Sequence, residues 1–108
     1  IINDFKLAFS EVDLILAPTT PNTALKLGEF QKYSFFGELM DRLNEPSAVV
    51  GLPGISIPSG LDKKKLPIGI QIIGRKFDEE SVMNLALQFE KETSFFGITK
   101  ELLKKYPD

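Results

Sequence analysis

Neither cysteine nor histidine occurs among the 108 residues, and tryptophan is absent as well. The first two absences exclude a Cys/His zinc site, a cysteine nucleophile, a disulfide framework and any Ser–His or Cys–His catalytic pair within this chain. Acid–base chemistry would therefore fall to Asp, Glu, Lys or Tyr. No Asp-x-Asp ladder followed by Gly announces a carboxylate cation site, so no metal ligand is assigned. Without disulfides nothing favours secretion, and the reading expects a cytoplasmic or organelle-matrix location. Charge of one sign is lacking too. Thirteen basic side chains against fifteen acidic ones leave a net charge of −2, which gives no intrinsic pull toward nucleic acid or an anionic membrane. No apolar run approaches the roughly 20 residues of a membrane helix, so no membrane contact is expected.

Hydrophobic residues make up 43% of the chain, an ordinary share for a single globular domain. The chain is organised around residues 49–74, where two short apolar runs flank a charged connection. Ile55 and Ile57 share one face of a strand, and Ile68, Ile70 and Ile72 share one face of another. Pro53, Pro58 and Pro67 punctuate their ends, where a missing N–H is tolerated. The pattern predicts two adjacent antiparallel strands at about 54–58 and 67–73. Upstream, residues 12–17 form a nearly continuous apolar run, which suits a strand buried on both faces of a parallel or mixed sheet. Pro18-Thr19-Thr20-Pro21 ends it in extended backbone. The expected fold class is α/β, a mixed sheet of about three strands covered by helices.

Helical spacing covers the rest. Ile1, Phe5, Ala8, Phe9 and Val12 recur with a helical period, running to about Ser10. No cap and no Met precede this pattern, so the chain reads as a piece cut from a longer protein. Residues 22–31 read as a surface loop. From Tyr33 to about Leu43, Phe36, Leu39, Met40 and Leu43 fall on one helical face, although Gly37 weakens it. Pro46 either opens a second short helix or breaks this one. Asp78 is placed to cap a helix whose first turn holds Glu79 and Glu80, and Phe77 is placed to staple onto Val82. Val82, Leu85, Ala86 and Phe89 form its buried stripe, which ends near Thr93. A shorter terminal helix after Gly97 carries Ile98, Leu102 and Leu103.

Few residues suggest chemistry by themselves. Ser56 and Ser59 lie beside glycines, but no Gly-x-Ser-x-Gly occurs and no base is near, so both read as structural. Thr19 and Thr20 suit local backbone hydrogen bonds better than a ligand. Gly51, Gly54 and Gly60 match no phosphate-loop spacing. The run Asp62-Lys63-Lys64-Lys65 reads as a solvated turn between strands. Asp41 sits among apolar residues, where its carboxylate either binds an ammonium group or simply faces solvent.

Three ordered blocks carry a resemblance. They are Asp13-Leu14-Ile15-Leu16-Ala17-Pro18-Thr19-Thr20-Pro21, the run from Gly51-Leu52-Pro53-Gly54 to Ser59-Gly60, and the run from Leu66-Pro67-Ile68 to Gly74, followed by Phe77-Asp78-Glu79. Together they resemble the C-terminal part of the amidase signature family. They look most similar to its branch of glutamine-hydrolysing subunits from tRNA-dependent amidotransferases. The family attacks an amide carbonyl through a Ser–cis-Ser–Lys arrangement and a covalent acyl-enzyme. The resemblance therefore implies catalytic residues upstream of Ile1, none in this chain, and no hydrolysis by these 108 residues alone. In that branch the ammonia passes to a B subunit, which uses ATP and Mg²⁺ to amidate a charged tRNA, and a small C subunit braces the pair. The implied partners are thus the amidotransferase B and C subunits, glutamine, and charged tRNA held through the B subunit. One site residue carries over. The acidic group that pairs with the substrate's α-ammonium stands ten positions before the first Gly of the second block, which here is Asp41.

The chain departs from the family pattern where Ala48-Val49-Val50-Gly51 stands in place of the common Asn-Leu-Ala-Gly, and where Asn44 replaces the usual Thr after the acidic position. The arginine that meets the substrate carboxylate would lie upstream of Ile1, and neither Arg42 nor Arg75 matches it. Two other readings remain: a different amide hydrolase with no tRNA partner, or a stand-alone interaction module whose uncovered sheet edges favour dimerisation.

Overall fold

Alternating isoleucines pair as their spacing predicts. The computed structural model describes residues 1–29 and 36–105. In it β1 (Leu14–Pro18), β2 (Gly54–Leu61) and β3 (Pro67–Gly74) form one sheet in the order β1-β3-β2. The register sets Ile55 opposite Ile72 and Ile57 opposite Ile70, so the apolar residues of both strands meet on one face. β2 runs past its expected end at Pro58. Its register shifts between Pro58 and Gly60, and an edge strand tolerates a proline at such an irregularity.

The α/β class holds, but the expected mixed sheet is here antiparallel in both pairings. A tight turn reverses β2 into β3, while β1 and β2 run in the same direction on opposite sides of β3 and never pair. Nor is β1 buried on both faces, since Leu16 is 56% exposed. β1 is an edge strand, and the helix that covers the apolar face packs on β2 and β3 instead.

That helix is α4 (Glu79–Thr93); before it come α1 (Ile2–Glu11), α2 (Phe36–Asp41) and α3 (Glu45–Val50), and after it α5 (Phe96–Lys105). Tyr33, where the second helix was expected to begin, lies outside the described residues, as do the side chains of Phe36, Ile98 and Leu102. Pro46 opens a separate helix, sitting in the first turn of α3. Gly51 ends α3 with φ +77°, a conformation that suits glycine, and its N–H returns to the Ala48 carbonyl. Asp78 caps α4 by accepting from the Ser81 N–H.

The staple does not form. Phe77 has φ +65° and its ring is 83% exposed, 5.6 Å from the Lys76 ammonium. Val82 packs instead beneath Gly74, where an added Cβ would come within 2.6 Å of Val82 Cγ2. The left-handed backbone at Phe77 turns its ring outward while glycine makes room for valine. Ile57, Ile72, Val82 and Ala86 form the buried core, with Leu14, Ile55, Ile70, Leu85 and Phe89 packed around it.

Candidate functional site

Opposite this core, the other face of the sheet is polar at its centre. Gln71 occupies the middle of β3, only 6% exposed, between Ala17 on β1 and Ser56 on β2. Small neighbours on both sides leave its amide free to reach above the sheet. Its Nε2 donates to the Pro18 carbonyl at 3.1 Å and to the Leu43 carbonyl at 2.8 Å. Both amide hydrogens are thereby used, as burial of a polar group requires.

One residue pair along the sheet, Gly69 leaves space for a second polar contact. Thr19 Oγ1 and Ser56 Oγ lie 2.6 Å apart, and a Cβ on Gly69 would stand 3.0 and 3.2 Å from them. The Thr19 N–H also donates to the Gly69 carbonyl. Thr19 is thus a tertiary link rather than a purely local one, whereas Thr20 makes the expected local bond to the Asn22 carbonyl. Ser56 bonds to Thr19 and Ser59 to the Ile68 carbonyl, so neither serine is hydrogen-bonded to a base among the described residues. A nucleophile needs one.

Beside Gln71 a recess of about 230 Å³ is walled by Asn44, Ser47, Leu52, Ile55 and Ser56. Ser47 is buried and donates to the Asn44 carbonyl at 3.0 Å. The turn that forms this wall joins α2 to α3, and the Asn44 N–H donates to the Asp41 carbonyl at 2.9 Å. Asp41 is the last residue of α2, and its exposed side chain makes no ion pair or hydrogen bond to another described residue. Its carboxylate stands at the start of the turn that walls the recess but not among the residues that line it.

The two arginines differ. Arg42 is exposed, whereas Arg75 is engaged with the end of α1. It donates to the Phe9 and Val12 carbonyls at 2.7 and 3.0 Å, pairs with Asp13 at 3.2 Å and lies over the Phe9 ring. Its role is to hold α1 to the sheet. A larger groove of about 540 Å³ runs between α1 and the end of α3, lined by Phe5, Phe9, Val50, Leu52 and Arg75.

Asp62 organises the β2–β3 turn. Its carboxylate accepts from the Lys64 and Leu66 N–H groups at 2.7 and 2.9 Å, and from Thr23 Oγ1 at 2.8 Å. These bonds, that from Leu66 foremost, hold its pKa below the ordinary carboxylate value. The three following lysines are exposed, as expected of a solvated turn. Among the described residues no cluster of three acidic groups could hold a metal ion.

The Amidase family profile matches residues 1–83, more than half of the chain. The chain belongs to the amidase family. It is 46% identical over 95 residues to the A subunit of glutamyl-tRNA(Gln) amidotransferase from Novosphingobium aromaticivorans, covering 88% of this chain and 19% of the relative. With the protein of the same name from Brevibacillus brevis it shares 43% identity over 104 residues, or 96% of this chain and 21% of the relative. The crystal structure of the Thermotoga maritima A subunit superimposes with a TM-score of 0.69 at 40% identity, covering 75% of this chain and 18% of that one. A 6-aminohexanoate cyclic dimer hydrolase superimposes with a TM-score of 0.73 at 25% identity, over 81% of this chain and 20% of its own. The chain thus spans about a fifth of the length of the relatives it matches.

Gln71 is the residue that sequence reasoning missed. It stands in the resemblance block but reads there as the outward member of an alternating strand. The signal that it is buried is the pair of small cross-strand neighbours, which no reading of one strand reveals.

Proposed function

We propose that this chain is part of the glutamine-hydrolysing subunit of a tRNA-dependent amidotransferase, supplying scaffold and one wall of the substrate pocket. The observation that carries the reading is the extent of similarity: 43% identity persists over 96% of the chain to a protein named as that subunit. In this reading Asp41 receives the α-ammonium of glutamine, for which an exposed carboxylate with no partner among the described residues is suited. The acyl-enzyme chemistry, with its Ser–cis-Ser–Lys residues, belongs to the rest of the parent protein. The B and C subunits are the partners, the tRNA and the ATP and Mg²⁺ act at the B subunit, and the complex works in the cytoplasm or an organelle matrix.

The test is glutamine hydrolysis by the full-length protein assembled with its partners. Asp41→Ala should raise the KM for glutamine by about tenfold to a hundredfold, the loss expected for a charge-assisted hydrogen bond, and an unchanged KM would remove Asp41 from the site. A second reading, an amide hydrolase that works without tRNA, is favoured by the superposition on the cyclic dimer hydrolase. Full activity on simple amides without partner subunits would select it.

A further inference from the structure

Gln71 poses a physical question. The apolar side chains of β3 bury area at no polar cost, yet its centre holds an amide that must be satisfied inside the protein. What the amide achieves is to join three segments. It sits on β3, takes the carbonyl that ends β1, and takes the Leu43 carbonyl from the turn between α2 and α3. Leu43 lies two residues beyond Asp41, between a helix that ends at Asp41 and one that starts at Glu45. With the Asn44 N–H already on the Asp41 carbonyl, the turn has one bond inward to α2 and one down to the sheet. The Leu43 bond thus ties the end of α2 to the central strand, on the face opposite the apolar core.

We propose that Gln71 is a positioning residue for Asp41: it pins the turn that presents the carboxylate, and so sets how well the site holds the ammonium group of an amino-acid amide. The proposal rests on the assignment of Asp41 made above. Gln71 does not touch the substrate; it acts through the Leu43 carbonyl. A carboxylate on a short helix gains geometric accuracy from such a support, and small displacements of a binding group are costly.

The experiment compares two substrates with the full-length protein in complex with its partners. One is glutamine, and the other is glutaramate, which has the same amide and carboxylate without the α-amino group. Gln71→Met keeps the side chain's length and removes both donors. It should raise the KM for glutamine by roughly three- to tenfold, less than loss of Asp41 itself, with kcat retained. The KM for glutaramate should not change. Combined with Asp41→Ala, the Gln71→Met change should add nothing further for glutamine. Should the methionine variant not fold, Gln71→Asn, shorter by one methylene, is read by the same substrate pair.

Equal loss on both substrates, or full additivity with Asp41→Ala, would overturn the positioning role and leave Gln71 as scaffold. An unchanged KM for glutamine would overturn it too. Failure of the Asp41 assignment looks different, because Asp41→Ala alone would then leave the glutamine KM where it was.

Discussion

The two faces of β3 are held by different physics. On one, Ile70 and Ile72 meet Ile57 and Ile55 under α4, and the contact works through buried apolar area. On the other, Gln71 meets backbone carbonyls, and Thr19 meets Ser56 above a glycine. Area is forgiving of position, whereas a hydrogen bond fixes it to a few tenths of an ångström. The face under α4 carries the clustered apolar core, and the other face, which buries Ile73 beside Gln71, also keeps particular loops where they are. With the proposed binding residue, Asp41, on a short helix beyond the Gln71 face, the division would have functional sense.

The comparison breaks first at Ile72, which is 2% exposed. Ile72→Ala removes buried atoms from beneath Val82 and Ala86 and should destabilise the protein by about 2–5 kcal/mol, measured as a fall in the urea midpoint. A loss below about 1 kcal/mol would mean that the face under α4 is not the main stabilising contact. A smaller effect is expected where a polar bond supports that same apolar layer. Asp78 caps α4 through a 3.3 Å bond from the Ser81 N–H, and Asp78→Ala should cost about 1 kcal/mol by the same measurement. Ranking the two substitutions tests whether burial outweighs capping on this side of the sheet.

The apolar face was the legible half. Isoleucines two apart announce which residues turn inward, and the Val82, Leu85, Ala86, Phe89 stripe announces the helix that meets them. The second half depends on distances along the chain that no local period records. Gln71 and Leu43 are 28 residues apart, and Thr19 and Ser56 are 37 apart. Phe77 shows the same limit at short range. A hydrophobic residue before a cap suggests a staple, but its left-handed backbone sends the ring outward. Likewise, the apolar run of β1 suggests burial on both faces, and only its place at the edge of the sheet leaves Leu16 exposed. Asp41 is different again. Its exposure agrees with both readings of its sequence position, so its role depends on the family and on the substrate test.

The weakest expected effect concerns the polar bonds at the far end of the hairpin, and it is read through pH. Asp62 gathers the Lys64 and Leu66 N–H groups and Thr23, and these bonds hold its pKa below the ordinary carboxylate value. A carboxyl group whose folded pKa is depressed contributes stability above its unfolded pKa, and that contribution fades as the pH falls through the folded value. Asp62→Asn keeps an acceptor oxygen for the two N–H groups but cannot titrate. The parent protein should therefore be more stable than this variant near neutral pH, and the gap in melting temperature should narrow as the solution is made acidic through and below the ordinary carboxylate range. A gap that stays constant with pH would mean that the carboxylate charge adds nothing to the turn, and that its geometry alone orders residues 62–66 and the Thr23 loop. The same result would bring the hairpin closer in kind to the Thr19–Ser56 contact, where neutral hydroxyls do the holding.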